Sequence, residues 1–178
     1  MASKKKIIIA SDLKGYFYNS LSEVNSKQGI QFPKEVLHYT SEVLANFLES
    51  EKYFQQTDEG KVREKVLGQK YLKAIGNEND VSKHEIKDIG ETSLVLCGVF
   101  YESINPKIVD ISYYYGLGKS AYSKMDKYFP SYFDIEGFYR LFAQSFESIT
   151  NLIGHATSNF EKPFNPFEFD STKIKTVS

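Results

Sequence analysis

The hydrophobic positions of this chain recur every three or four residues, which is the spacing of one face of an α-helix. Five such stripes precede residue 130, and a longer one follows it. Breaks separate them: Gly29 and Gly76 suit helix ends, Pro33 suits a first helical turn, and Pro130 closes the fifth stripe. The pattern predicts an all-α protein with about six helices in one bundle-like domain.

The two ends of the chain lack this periodicity. Residues 1–10 form a basic and apolar extension whose short apolar core, Ile7 to Ala10, is too short for a secretory signal. Helical spacing stops near Thr157, and Pro163 and Pro166 exclude a regular helix beyond it. We therefore predict a helical domain over 11–157 and an extended tail over 158–178.

The fourth helix carries the strongest start signal. Ser82 and Glu85 have the spacing of a capping box, and Val81 and Ile86 have that of a hydrophobic staple. The stretch from Leu94 to Phe100 is apolar on all sides, which is typical of a central, buried helix. A buried strand is the alternative, but the helical spacing begins upstream without an intervening turn signal.

The sixth helix is predicted to start at Asp134, with Phe133 and Phe138 as a staple. Its predicted apolar face comprises Ile135, Phe138, Phe142, Phe146, Ile149, Leu152 and Ile153.

Charge and composition exclude several classes of function. The 178 residues carry a formal net charge of −1 with basic and acidic residues interspersed, so no nucleic-acid-binding face is expected. No run of 18 apolar residues predicts a membrane span. The single cysteine, Cys97, lies in an apolar run, as expected of a buried thiol in a reducing cytosol.

No motif predicts a metal or cofactor. Glu35 and His38 form one Glu-x-x-His pair, but a di-iron bundle needs two such pairs. The segment 116–120 ends in Gly-Lys-Ser like a phosphate-binding loop, but Tyr113 occupies the position of the required earlier glycine. We interpret Gly116 and Gly118 as places where another helix approaches closely.

One polar group is predicted near the buried part of the fourth helix. Glu91 needs a hydrogen-bonding partner if it is buried, and Tyr113, Tyr114 and Tyr115 are candidate donors from the fifth helix. With Glu102, these residues form either a structural tie between the two helices or a small-molecule site.

The tail is the second candidate surface. Exposed aromatic residues are unfavourable unless they dock on a surface. Three alternatives are open here: docking on this domain, docking on a protein partner, and no docking at all. The residues concerned are Phe160, Phe164, Pro166, Phe167 and Phe169.

Residues 90–122 contain several short motifs, in this order: Gly90-Glu91-Thr92-Ser93-Leu94, Gly98-Val99-Phe100, Glu102-Ser103-Ile104, Tyr113-Tyr114, Gly118 and Ala121-Tyr122. This order resembles that of a family of uncharacterised bacterial helical proteins with no established activity. The chain departs from the family pattern at Ile104, where leucine is preferred, and at Glu91, where aspartate is common. The resemblance implies a bacterial cytoplasmic protein and a shared helix pair, and it implies no reaction.

The sequence thus favours a non-enzymatic, cytoplasmic, protein-binding adaptor or regulatory protein of bacterial type, without a cofactor. The alternative is a small-molecule-binding protein or enzyme with a polar site between the fourth and fifth helices.

Overall fold

A computed structural model describes residues 13–29, 31–49, 60–77, 79–101, 110–129 and 131–159. These residues form seven helices and one two-stranded ribbon, so the predicted all-α, bundle-like fold is confirmed. The helices are α1 (Leu13–Lys27), α2 (Lys34–Glu49), α3 (Gly60–Ile75), α4 (Asp80–Val99), α5 (Ile111–Tyr128), α6 (Phe138–Gln144) and α7 (Phe146–Ala156). The strands β1 (Ser131–Tyr132) and β2 (Ile135–Glu136) pair antiparallel between α5 and α6.

Helix α4 is the centre of the domain, as its apolar composition predicted. Every residue from Thr92 to Phe100 is buried, and α4 contacts α2, α3, α5 and α7. Helix α1 packs against α2 and α7. Across the described part of the chain, no helix is both long and apolar enough to cross a membrane.

Helix α7 packs closely against two glycines of its neighbouring helices. A Cβ on Gly98 of α4 would lie 2.7 Å from Ile153 Cγ2 of α7, and one on Gly118 of α5 would collide with the Phe146 ring. The predicted close approach at Gly118 is therefore confirmed. At Gly116 the prediction is wrong, because a Cβ there would meet no atom within 4 Å.

The start of α4 differs from the predicted capping box. Asn79 is the N-cap, and its side chain accepts a hydrogen bond of 2.8 Å from the Ser82 backbone N–H. Ser82 is buried inside the first turn, and Val81 is 68% exposed, so neither the predicted cap nor the predicted staple forms. Asparagine caps as well as serine does, and the earlier start places Ser82 and Ile86 on the inward face.

Asn79→Ala is therefore expected to lower the free energy of unfolding by about 1 kcal/mol, because it removes the side chain that caps α4. Denaturant titration measures the loss. Asn79→Asp serves as the control, since aspartate is an equally good cap and should preserve stability. An alanine variant as stable as the parent chain would show that this cap contributes nothing.

The predicted sixth helix is wrong at its start and in its continuity. Asp134 does not cap a helix: Phe133 and Asp134 form a two-residue turn with φ of 46° and 59°, between β1 and β2. Positive φ at both central residues is the signature of a tight hairpin turn. The helical segment after Gly137 is divided at Ser145 into α6 and α7.

The hydrophobic periodicity survives this division because the interruption is a single residue. The predicted inward residues that are buried in the structure are Phe138, Phe142, Phe146, Ile149, Leu152 and Ile153. Periodicity therefore predicted the buried face correctly and the number of helices incorrectly.

Candidate functional site

A cluster of aromatic and hydrogen-bonded side chains, hereafter the Tyr39 cluster, surrounds Tyr39 of α2. Its side chain is buried, and five aromatic rings have their centroids between 5.1 and 6.2 Å from its own. These rings come from α5, β1 and α6 and belong to Tyr122, Tyr132, Phe138, Tyr139 and Phe142. Four elements of the fold thus meet around one phenol.

The Tyr39 hydroxyl links two further polar groups. It donates a hydrogen bond of 3.0 Å to Glu91 Oε1 of α4 and lies 3.3 Å from the Tyr122 hydroxyl of α5. A phenol has one proton, so Tyr39 accepts from Tyr122 while it donates to Glu91. The result is a chain of two phenols that ends on a carboxyl group.

Glu91 lies where this series of hydrogen-bonded side chains approaches the surface, with 24% of its own side chain exposed. Burial raises the pKa of Glu91, and the nearby acidic groups of Asp88 and Glu42 raise it further. Lys87 Nζ, 3.8 Å from Glu91 Oε1, and the Tyr39 hydrogen bond offset part of this rise in pKa. Ionised Glu91 is thus costly in the folded state.

Glu42 of α2 is the second carboxylate of this region, and its surroundings favour ionisation. Lys14 Nζ of α1 lies 2.6 Å from Oε1, and the Tyr132 hydroxyl donates to Oε2 at 2.9 Å. Burial alone would raise the pKa of Glu42, but these two hydrogen bonds and the nearby charges of Lys14 and His38 together outweigh it, and the pKa is lowered. His38 Nδ1 lies 4.0 Å from Oε1 and 3.4 Å from the Tyr132 hydroxyl.

The two carboxyl groups give opposite expectations for stability against pH. The pKa of Glu91 is raised above its ordinary value of 4.5, so its stabilising contribution is present below that value and is lost as pH rises through the folded-state pKa. The pKa of Glu42 is lowered, so its contribution is present above 4.5 and is lost as pH falls through the folded-state pKa.

Glu91→Gln is therefore expected to increase the free energy of unfolding at pH 7, and the gain should disappear near pH 4. The amide that replaces the carboxyl group retains an oxygen that accepts from Tyr39. Glu42→Gln, the matched variant, should decrease stability at pH 7 and approach the parent chain at low pH. Urea titrations from about pH 2.5 to 8 measure both, because the Glu42 contribution is lost only below its ordinary pKa. Changes of the same sign in both variants at pH 7 would contradict the assignment of the two environments.

The tyrosines predicted to meet Glu91 lie elsewhere. The Tyr113 side chain occupies the space where a Cβ on Gly68 of α3 would lie. Tyr114 is buried, and the Tyr115 hydroxyl lies 3.4 Å from Thr150 Oγ1 of α7. The hydrogen-bond donor that the structure shows for Glu91 is Tyr39, so the predicted contact with these three residues is not confirmed.

The packing of α4 against α5 shows which α5 residue lies beside Glu91. Gly90 packs on Ala121 and Tyr122, so the α5 residue level with Glu91 is Tyr122. Tyr115 is seven residues earlier, which is about 10 Å along the helix. Tyr39, the actual donor, was missed because α2 lies 52 residues from Glu91 in the sequence.

Glu102 and all five tail residues named as candidates lie outside the described residues. The tail residues are Phe160, Phe164, Pro166, Phe167 and Phe169.

The region around Tyr39 has no activated nucleophile or base among its phenols. Burial raises the pKa of Tyr39 and of Tyr122 well above the ordinary value, and raises that of Tyr139 to about 12. Phenols with raised pKa values stay protonated at neutral pH, whereas a catalytic base or nucleophile needs a pKa near or below the working pH. The aromatic side chains around Tyr39 stabilise the contact of four elements. One carboxyl group in contact with them, that of Glu91, has a raised pKa.

The turn of the hairpin exposes an aromatic side chain. Phe133 is 65% exposed, although its ring makes edge contacts with His38 at 5.3 Å and with Tyr132 at 4.6 Å between centroids. Sequence reasoning assigned Phe133 to a helix staple and missed this position.

A cleft of about 260 Å³, hereafter the α4–α7 cleft, lies where the last turn of α4 meets α7. Its walls comprise Cys97, Gly98, Val99, Tyr101, Thr150, Asn151, Gly154, His155 and Ser158. Cys97 is buried as predicted, and burial raises the pKa of its thiol, so the group is a poor nucleophile.

Within the described ranges, no three histidine, cysteine, aspartate or glutamate side chains are grouped so that they could hold a metal ion. His38 of the Glu-x-x-His pair instead contacts Tyr132, Glu42 and Phe133.

No protein-family model, curated protein or solved structure matches this chain. The resemblance of residues 90–122 to an uncharacterised bacterial family therefore stays a prediction.

Proposed function

We propose that this chain is a non-enzymatic protein-binding domain and that the turn between β1 and β2 is its recognition element. The observation that carries the proposal is Phe133, a bulky residue that is 65% exposed and has a φ of 46°. A left-handed backbone costs a residue with a side chain about 1–2 kcal/mol, and the exposed part of the phenyl ring gains nothing from burial. Both costs are offset when the ring enters a pocket on a partner.

The hairpin beneath Phe133 is held in place, which lowers the entropy cost of recognition. Tyr132 donates to Glu42, and Glu42 is paired with Lys14 of α1. The Tyr132 ring also packs on that of Phe138, at 4.6 Å between centroids and 32° between planes. A rigid aromatic anchor is the type of residue that contributes most to protein interfaces.

The remaining chemistry supports binding over catalysis. The phenols with shifted pKa values are shifted upward, the lone thiol is buried, and the described residues offer no metal cluster. We further propose a cytoplasmic, bacterial adaptor or regulatory role, which the buried Cys97 and the resemblance of residues 90–122 support.

Photo-crosslinking tests the proposal. The photoreactive residue p-benzoylphenylalanine replaces Phe133 in the tagged full chain, which is then irradiated in an extract of the source organism. The matched control places it at Leu72 of α3, which is 68% exposed and far from the hairpin in sequence. We expect one discrete adduct at position 133, which excess untagged parent chain prevents and excess Phe133→Gly does not.

The same adducts at positions 133 and 72, or no adduct at position 133, would contradict a recognition role for the turn.

Phe133→Gly is also expected to leave the free energy of unfolding within about 1 kcal/mol of the parent value. Glycine relieves a left-handed strain of about 1–2 kcal/mol, while the lost ring contacts cost about 0.5–1.5 kcal/mol each. Thermal and denaturant unfolding measure the balance. A loss above about 3 kcal/mol would assign Phe133 to the stability of the domain.

A second candidate function is the binding of a small cationic molecule at Glu91. The observation that favours it is a partly buried carboxyl group kept where its charge is unfavourable, which is common at functional sites. A thermal-shift screen with small amines and guanidines tests this candidate. Stabilisation of the parent chain that Glu91→Gln abolishes would support it, and equal shifts for both chains would exclude Glu91.

A further inference from the structure

The α4–α7 cleft has the size of one aromatic side chain. Its volume is about 260 Å³. An apolar cavity of about 150 Å³ is enough to bind benzene, whereas sites for cofactors and other small molecules usually span about 300–1,000 Å³. The cleft therefore accommodates a phenyl ring and a short part of the chain that carries it.

The walls of the cleft suit an aromatic residue within a peptide. Gly154 has no side chain to fill the space, and Val99 adds an apolar surface. Asn151 and His155, on the exposed side of α7, place an amide and an imidazole at the rim. Such groups hydrogen-bond to peptide N–H and C=O groups while the ring occupies the apolar floor.

The position of the cleft along the chain indicates its occupant. Ser158 forms part of the wall, and the chain continues directly from there into the aromatic tail. Phe160 follows Ser158 by two residues and Phe164 by six, and six extended residues span about 20 Å. Both rings are within reach of a cleft that begins at Ser158.

We infer that the α4–α7 cleft binds one phenylalanine ring of the segment 160–169, so that the tail docks on its own domain. The short tether gives the ring an effective concentration in the millimolar range, so a weak intrinsic affinity is sufficient. This inference is independent of the role proposed for Phe133, which lies in the hairpin and not in the cleft.

Ser158→Cys, together with Cys97→Ser, places a single accessible thiol on the wall of the cleft, because the native Cys97 is only 1% exposed and a poor nucleophile. The rate at which iodoacetamide alkylates this thiol is measured in that parent chain and in four single variants of it. The variants are Phe160→Ser, Phe164→Ser, Phe167→Ser and Phe169→Ser. Each variant is the control for the other three, and all keep the chain length.

We expect one variant to be alkylated about tenfold faster than the parent chain, which corresponds to a ring that occupies the cleft about 90% of the time. The parent rate should be independent of protein concentration, because the tail docks within one chain. Equal rates in all five proteins would overturn the inference. Protection that increases with protein concentration would overturn it in favour of docking between two copies.

A second readout separates docking from a general change in stability. Nuclear Overhauser effects between the Val99 methyl groups and the ring protons of one tail phenylalanine are expected in the full chain. They should vanish in the serine variant of that residue. Ring contacts of Val99 only to residues of the helical domain would overturn the inference, whatever the alkylation rates.

Discussion

Leu96→Ala is expected to lower the free energy of unfolding by about 2–5 kcal/mol, which is a large fraction of the stability of a typical domain. Leu96 is 1% exposed in the middle of the buried half of α4. Its truncation removes apolar contacts and leaves a cavity that the surrounding helices cannot fully close. Chemical denaturation monitored by circular dichroism measures the loss.

Leu72→Ala is the matched control for Leu96→Ala. The substitution is identical, but Leu72 is exposed on α3, so a change below about 0.5 kcal/mol is expected. Similar losses in the two variants would show that α4 is not the centre of the domain.

Gly98→Ala is the second substitution with a large expected effect, a loss of about 1–3 kcal/mol. The added methyl group would lie 2.7 Å from Cγ2 and 2.8 Å from Cβ of Ile153. Cβ is attached to the α7 backbone, so a side-chain rotation cannot relieve the overlap and the two helices must move apart. Denaturant titration measures the resulting loss.

Gly116→Ala in α5 is its control. A Cβ at Gly116 meets no atom within 4 Å, and alanine is the better helix former, so a gain of up to about 1 kcal/mol is expected. If both glycine variants change stability in the same direction, helix propensity and not close packing determines the effect at Gly98.

Local periodicity was enough to predict most of the fold. It identified the central position of α4 and the buried residues of α6 and α7. These features depend on the spacing of apolar residues along one segment, which the sequence displays directly.

Two features of the fold depend on competition between local signals. Asn79 and Ser82 are equally good caps, and the burial of Ser82 and Ile86 decides between them only in the folded state. The hairpin turn uses Phe133 and Asp134 in left-handed conformations, where glycine or asparagine is the usual signal. A Phe-Asp turn has no such signal, so the sequence favoured a helix cap instead.

The candidate site required long-range information. The sequence predicted that Glu91 needs a hydrogen-bond donor if it is buried, and the structure shows that its side chain is 24% exposed. The identity of the donor, Tyr39, follows from the packing of α2 against α4, and 13 tyrosines in the chain offered no basis for choosing one.

The side chains around Tyr39 support the turn that carries Phe133. Tyr132 contacts Tyr39 through its ring and Glu42 through its hydroxyl, and the next residue is Phe133. The cluster thus fixes the strand from which the exposed ring projects. On this account, the buried polar groups serve recognition by holding the turn in position.

The proposed role of Phe133 is tested most directly by a binding titration with the partner protein that is crosslinked at position 133. Calorimetry compares the partner affinities of the parent chain, Phe133→Gly and the control Leu72→Ala. The comparison is made at a temperature at which unfolding measurements show all three chains to be folded. The account predicts that Phe133→Gly weakens the affinity at least about 30-fold, the equivalent of a 2 kcal/mol hot spot, and that Leu72→Ala changes it less than about twofold. Equal affinities for the parent chain and Phe133→Gly would contradict it.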